Sequence, residues 1–361
     1  MYDEMLNKDY KNPNKLYKKL HTWLLNQNSS SLLNQSIRAE ELFRKVGITF
    51  NVYGEDEAEE RLIPFDFVPR IIEKKEWDFV KSGIVQRLTA INMFLKDIYY
   101  DQKIVKEGII PSELINNNSA FKPQMCGFSP PGDIYIHVSG VDLIRTSKKN
   151  FYVLEDNLRV PSGASYMIEN RSTMMHMFPE LFTNYNVHNV YNYPDLLLKS
   201  LIKCSNNLSH NPNIAVLTPG IFNSAYFEHS FLADEMGVNL LEWRDLIIED
   251  NKVVIKTTKG KEIIDILYRR IDDDYLDPLT FNPDSLIGLP GLFDVYRSGN
   301  LIIANAPGTG IADDKAVYSY IPDIIKFYLN EKPILKNVKT WRCSDKKSLQ
   351  YVLDNLSKLR S

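Results

Sequence analysis

Leucines and aromatics recur at mixed three- and four-residue spacing through Leu16, Tyr17, Leu20, Trp23 and Leu24, and again through "SIRAEELFRKVG". This periodicity predicts two amphipathic helices between residues 13 and 45, with Gly47 closing the second. The apolar run "ITFNVY" predicts a short strand, and the acidic, proline-containing stretch 55–72 predicts an ordered but irregular crossing. Helical period then holds from Glu76 to Tyr100, with Gly83 the only breaker and Gln86 and Arg87 in mid-helix. Next, "IYIHVSGVDLIR" and "FYVLEDN" read as two strands joined by the polar turn "TSKKN".

The pattern changes near residue 190. "IAVLTPG" is a compact apolar strand, "SAYFEHSFLADEMGVNLLEW" a helix leading to a second strand, and "DNKVVIKTTKGKEIIDILYRR" a hairpin and a further strand. Strand, loop, helix, strand is the grammar of a parallel sheet, so 195–305 is expected to be α/β and Rossmann-like. No G-x-G-x-x-G follows its first strand, which argues against a dinucleotide site. Residues 315–332 and 344–360 read as helices, the second opening on Ser344 as N-cap. Four regions follow: 1–75, helical and irregular; 76–190, carrying the candidate cation site; 191–310, the Rossmann-like region; and 311–361, a helical segment.

Composition narrows the classes. With 361 residues, more than one domain is expected. At 44% apolar, 25% charged and a net charge of −3, the chain has no general electrostatic reason to bind nucleic acid or an anionic membrane. Cys126, Cys204 and Cys343 are too dispersed for a disulfide framework or a cysteine-built zinc site. The N-terminus lacks an apolar signal core and no apolar run approaches twenty residues, so the cytoplasm is the expected compartment. Oligomerisation is left open. The six histidines show neither H-x-x-x-H nor H-E-x-x-H, and Ser162 sits in P-S-G rather than G-x-S-x-G, which disfavours metallohydrolase and hydrolase chemistry.

Three segments concentrate polar chemistry. In "VLEDNLRVPSG", strand alternation puts Glu155 and Asn157 on one side and Asp156 on the other. If the strands pair as a hairpin, Asp142, thirteen positions before Glu155, approaches it. Oxygen donors so placed suit a phosphate-bound Mg²⁺, although E-x-N alone is a common pattern. Arg159 shares the Glu155 side if extension continues, and its forked guanidinium suits phosphoryl or carboxylate oxygens. Arg145 and Arg171 read equally as surface pairs. "LYRRIDDDYLDP" (267–278) is either a solvated, self-neutralising loop, which composition favours, or the wall of a charged site. "NAPGTGIADDKAVY" (305–318) could cradle an anion, with Lys315 reaching a phosphate, but its spacing is not that of a Walker loop.

Several of these stretches together resemble the circularly permuted ATP-grasp family, which includes glutathionylspermidine synthetase-like ligases. The resemblance rests on "DEM", "GITFNVYG", "IPFDFVPRII", "VLEDNLRVPSGASYMIENR", "LYRRIDDDYLDPL", "GLPGL" and "NAPGTGIADDKAVYSYIPDIIKFYLNEKPIL", in that order between residues 3 and 356. It implies an α+β and α/β fold, a permuted ATP-grasp with a Rossmann-like domain that helps hold substrate, using ATP and Mg²⁺. The implied chemistry is ligation of a peptide-like or amino-acid carboxylate to an amine through an acylphosphate. A non-catalytic binding or scaffold protein of the same fold, working with a partner, is the alternative. The resemblance makes Asp142, Glu155 and Asn157 metal ligands and Arg159 and Arg270 catalytic. Lys315, Asn305 and Arg145 become nucleotide contacts, and Asp273, Asp277 and Ser162 substrate contacts. Family members continue past the segment "TWRCSDKKSLQYVLDNL" into a strand with a lysine and a glycine-rich loop over the phosphates. Since this chain stops at Ser361, it is expected to lack that lobe and to be inactive alone.

Overall fold

The computed structural model describes residues 3–6, 12–53, 58–63, 65–147, 150–183, 185–205 and 211–359. In chain order the strands are β1 (Thr49–Tyr53), β2 (Ala58–Leu62), β3 (Gly140–Ser147), β4 (Asn150–Asn157), β5 (Ile214–Leu217) and β6 (Asn239–Leu241). They continue with β7 (Leu246–Glu249), β8 (Lys252–Thr257), β9 (Gly260–Ile264), β10 (Ile266–Arg269), β11 (Ile302–Ala304) and β12 (Lys336–Asn337). The chain divides into two compact units, each assembled from separated stretches: Asp3–Glu73 with Ser162–Ala304, and Lys74–Pro161 with the chain from Asn305 on.

In the first unit, the expected helices are Lys18–Leu25 and Ser29–Val46, the latter capped by Asn28, whose side chain accepts from Ser30 N. Their apolar stripes close over Tyr17, Leu20, Ala39, Phe43 and Ile48, joined by Phe65, Met174, Phe178 and Leu181. β1 pairs antiparallel with β2, so part of the expected irregular crossing is a strand. Its "AEERL" sequence carries no apolar alternation, and the partner strand supplies what local propensity does not. Glu55, Asp56 and Glu57 lie outside the described residues.

The same unit holds a parallel sheet in the order β11-β10-β5-β6. β5, β10 and β11 are buried along their whole length, as the unbroken runs "IAVL", "ILYR" and "IIA" require of strands covered on both faces. From β5 the chain passes through the helix Tyr226–Met236 to β6 on one side, and β10 and β11 lie on the other. β7, β8 and β9 form a separate antiparallel sheet, turned between Glu249 and Lys252 by Asp250 and Asn251 at φ 50° and 57°.

In the second unit, the helix Lys74–Ile98 buries Val80, Ala90, Ile91, Phe94, Leu95 and Ile98 along one stripe. Phe151, Val153, Tyr318 and Leu335 pack with Val80 beside the sheet β12-β4-β3. Only the second half of "IYIHVSGVDLIR" is a strand. Before Gly140, the Asn305 amide oxygen accepts from His137 N (2.7 Å) and Val138 N (2.9 Å), and its nitrogen donates to Val138 O (2.7 Å), taking the backbone groups a neighbouring strand would use. Lys148 and Lys149 of the expected turn lie outside the described residues. The expected 315–332 helix is two, Lys315–Tyr318 and Ile321–Leu329, because Pro322 in the first turn of the second has no N–H to continue the first. The last helix, Lys346–Asp354, is capped by Asp345 rather than Ser344: the carboxylate accepts from Ser348 N at 2.8 Å. Among the described residues, no helix is long and apolar enough to cross a membrane.

Candidate functional site

β3 and β4 are antiparallel, with Asp142 directly opposite Glu155 and Gly140 opposite Asn157. The ladder is not continuous: Leu143 pairs with Val153, so Leu154 is an extra residue in β4. This bulge decides which side chains are available. Phe151 and Val153 face the core, and strict alternation would send Glu155 and Asn157 after them. Instead the bulge resets the phase, and Asp156 takes the buried face while Glu155 and Asn157 turn outward. Asp156, 2% exposed, receives the Arg87 guanidinium in a two-pronged pair, Nε to Oδ1 at 2.7 Å and Nη2 to Oδ2 at 2.6 Å. Arg87 Nη1 also donates to Asn337 Oδ1 at 2.8 Å, which ties β12 into the sheet.

Outward of that pair, two carboxylates share one face. Partial burial first, then the hydrogen-bonded Glu155 carboxylate, push the Asp142 carboxyl above its usual range, while the Lys315 ammonium and then Asp142 hold Glu155 below it. Asn157 contributes a further hydrogen bond to Glu155. Two carboxylates held in contact repel unless a proton or a cation lies with them. Two acids and an amide oxygen fit a hard divalent ion that keeps waters and phosphate oxygens for its remaining positions. Among the described residues no group of three or more His, Cys, Asp or Glu side chains is arranged to hold a metal, so an amide ligand is needed to complete even this modest set.

The "ADDK" segment assigns a separate task to each charged residue. Asp313 Oδ1 accepts from Leu158 N at 2.6 Å, fixing the chain as it leaves β4. Asp314 Oδ1 caps the next helix, accepting from Ala316 N (2.7 Å) and Val317 N (3.2 Å). Lys315 is thereby set at the first helical position with its ammonium bonded to Glu155 Oε2. Burial alternation continues past the strand end, with Leu158 buried and Arg159 not, as extension predicted. Arg159 Nε stands 3.9 Å from Asp313 Oδ2, and its Cδ lies 3.1 Å from where a Cβ on residue 310 would sit, a space that Gly310 leaves free. Neither Asp313 nor Asp314 was singled out by the sequence, although the acid pair directly before a lysine and a helix start is a capping signal.

Asn305 and Arg145 are placed differently. Asn305 is 2% exposed and donates also to Leu158 O at 2.7 Å, so both donors and both acceptor positions of its amide are used inside the unit. It holds the 137–138 strap against the exit of β4. Arg145 lies three residues from Asp142 and so on the opposite face of β3, ion-paired with Glu76 and stacked over Phe151 at 4.9 Å.

In the first unit, the charged run 267–278 is not the solvated loop that its composition favours. Arg269, Arg270, Asp273 and Asp277 are all buried. Arg269 Nη2 meets Asp273 Oδ1 at 2.7 Å. Arg270 donates to Glu228 Oε1 (3.0 Å) and to the Tyr268 hydroxyl (3.0 Å), while Glu228 Oε2 accepts from Gly163 N, Ser165 N and Ser165 Oγ. Asp277 accepts from Leu279 N, Gly291 N, Phe293 N and Thr280 Oγ1, knotting its loop to the helix Leu292–Arg297. Ser162 is exposed on the turn before the helix Ala164–Met177. Glu228 escaped the sequence reading, and its signal was an acid amid the apolar residues of "YFEHSFLADEM". Buried charges must be satisfied, and these are: Arg269 and Asp273 pair with each other, Arg270 pairs with Glu228, and Asp277 is held by three backbone N–H groups and a hydroxyl.

Residues 69–360 match the family described as a circularly permuted ATPgrasp. An uncharacterized protein of Synechocystis sp. is 48% identical over 314 residues, 87% of this chain and 65% of that one. A protein of Frankia casuarinae named "Putative glutamate--cysteine ligase 2-2" is 39% identical over 315 residues, 87% of this chain and 36% of that one. The chain thus spans less than two thirds of the length of these curated relatives. Among solved structures, the apo form of a glutathione synthetase-like effector from Globodera pallida aligns with TM-score 0.55 at 11% identity, over 85% of this chain and 69% of that one, a likeness of fold.

Proposed function

We propose that this chain, which belongs to the circularly permuted ATP-grasp family, is the magnesium-holding part of an ATP-dependent carboxylate–amine ligase. The observation that carries the reading is the bulged hairpin, which turns Glu155 and Asn157 onto the open face shared with Asp142, next to Lys315. Asp142, Glu155 and Asn157 would hold Mg²⁺, which when bound neutralises phosphate charge and orients the γ-phosphoryl group. Arg159 would stabilise charge on the transferring phosphoryl oxygens, the main catalytic task in such transfers.

In the reaction, a substrate carboxylate oxygen attacks the γ-phosphorus and ADP leaves. An amine then attacks the acyl carbon of the acylphosphate, loses a proton and expels phosphate. The name of the Frankia relative supports an amino-acid or peptide-like acid and an amine as substrates. Calorimetric titration of the complete protein with MgATP tests the reading. Saturable binding that disappears in Glu155→Ala is expected, and undiminished binding in that variant would count against it.

A further inference from the structure

Lys315 is held at the start of its helix by the Asp314 cap, so its backbone position is fixed. The side chain, however, is 62% exposed, whereas Glu155 is 31% exposed. The ammonium can therefore leave the carboxylate without opening any core. Glu155 is also the carboxylate directly opposite Asp142, so a cation bridging the two competes with Lys315 for the same carboxylate. A divalent ion and an ammonium drawn to one carboxylate repel each other, the more so as they approach. A phosphate brought in with the ion offers the displaced ammonium a new anionic partner within the reach of a flexible four-carbon stem.

We propose that Lys315 is an exchangeable counter-ion: a divalent cation entering at Asp142, Glu155 and Asn157 displaces its ammonium from Glu155, and the ammonium then takes a phosphate oxygen of the bound nucleotide. The proposal rests on the magnesium–nucleotide reading of this site. It makes cation and nucleotide binding cooperative, because the ion alone must break the Lys315–Glu155 pair while the ion with phosphate replaces it. One substitution therefore acts in opposite directions on the two.

The test is equilibrium binding of Mn²⁺, followed by the electron paramagnetic resonance signal of the free ion, with and without ATP. Wild type, Lys315→Met, Lys315→Gln and Glu155→Gln are compared, with circular dichroism to show that each is folded. Without nucleotide, both lysine variants should bind Mn²⁺ about five-fold or more tightly than wild type, and with ATP they should bind the complex about five-fold or more weakly. If Glu155→Gln weakens Mn²⁺ binding but the lysine variants match wild type, the exchange is overturned while the metal site stands. If the lysine variants bind Mn²⁺ more tightly and Mn²⁺–ATP equally well, the transfer to phosphate is overturned. If Glu155→Gln changes nothing in either background, the metal site itself fails and the exchange with it.

Discussion

Asp142 stands opposite Glu155 because Leu154 is a supernumerary residue in its strand. The bulge lets one short segment serve two purposes: Asp156 closes a buried ion pair with Arg87, and its two neighbours project outward. Deleting Leu154 would leave Phe151 and Val153 inward, Glu155 outward, Asp156 inward and Asn157 outward. That deletion should lower the thermal midpoint by no more than a few degrees. Deleting Tyr152 instead turns Phe151 out of the core and should prevent cooperative unfolding altogether. Thermal denaturation of the two deletions decides the point, since equal damage from both would show that the bulge does not set the phase.

The Arg87–Asp156 pair, whose side chains are exposed by only 1% and 0%, should be far more costly to break than to replace. Asp156→Ala leaves a buried guanidinium without its counter-charge and should lose about 3–5 kcal/mol in urea unfolding. Replacing both, Arg87→Met with Asp156→Leu, should recover much of that loss. A double variant as unstable as the single one would contradict the desolvation argument.

Gly308 occupies a position that no side chain fits. Its φ is +84°, a Cβ there would lie 2.3 Å from the Tyr99 hydroxyl oxygen, and that hydroxyl donates to Gly308 O at 2.8 Å. Gly308→Ala should cost about 2–5 kcal/mol from left-handed strain and overpacking together. Adding Tyr99→Phe removes the closest contact, so the double variant should lose less than the sum of the two singles in the same unfolding measurement.

Two histidines are expected to make the protein acid-sensitive. Burial pushes the His137 ring down to about 4, and neither of its ring nitrogens meets a hydrogen-bonding partner among the described residues. Burial, then Arg270, pushes His229 down to about 3, with its Nδ1 2.8 Å from Thr218 Oγ1. Both folded values lie below the unfolded value of 6.5, so the unfolded chain binds more protons as pH falls from 6.5 toward 4. Stability therefore declines across that window and levels off only below the folded values. Each ring should contribute about 2 kcal/mol of loss between pH 7 and pH 5. Urea midpoints of His137→Gln at the two pH values should differ less than those of wild type, and an unchanged difference would remove His137 from the account.

Local pattern was sufficient for much of this protein. The period of residues 13–45 and 76–100, the unbroken apolar strands of the parallel sheet and the hairpin that brings Asp142 to Glu155 were all legible from the sequence, because each depends on near neighbours. The family too was legible, from motifs in a fixed order. The phase reset at Leu154 was not, since alternation alone cannot show where a ladder gains a residue. Nor were the partners of charge: Arg87 meets Asp156 across 69 positions and Arg270 meets Glu228 across 42. Composition counts charges but not their distances, so it cannot separate a solvated acidic loop from paired charges in a core. Sequence determined most of the elements and which residue types lie at the strand end; tertiary structure alone decided which of those charges are spent on holding the fold and which face outward, because burying an ion is tolerable only where the fold brings it a counter-ion or enough hydrogen-bond donors.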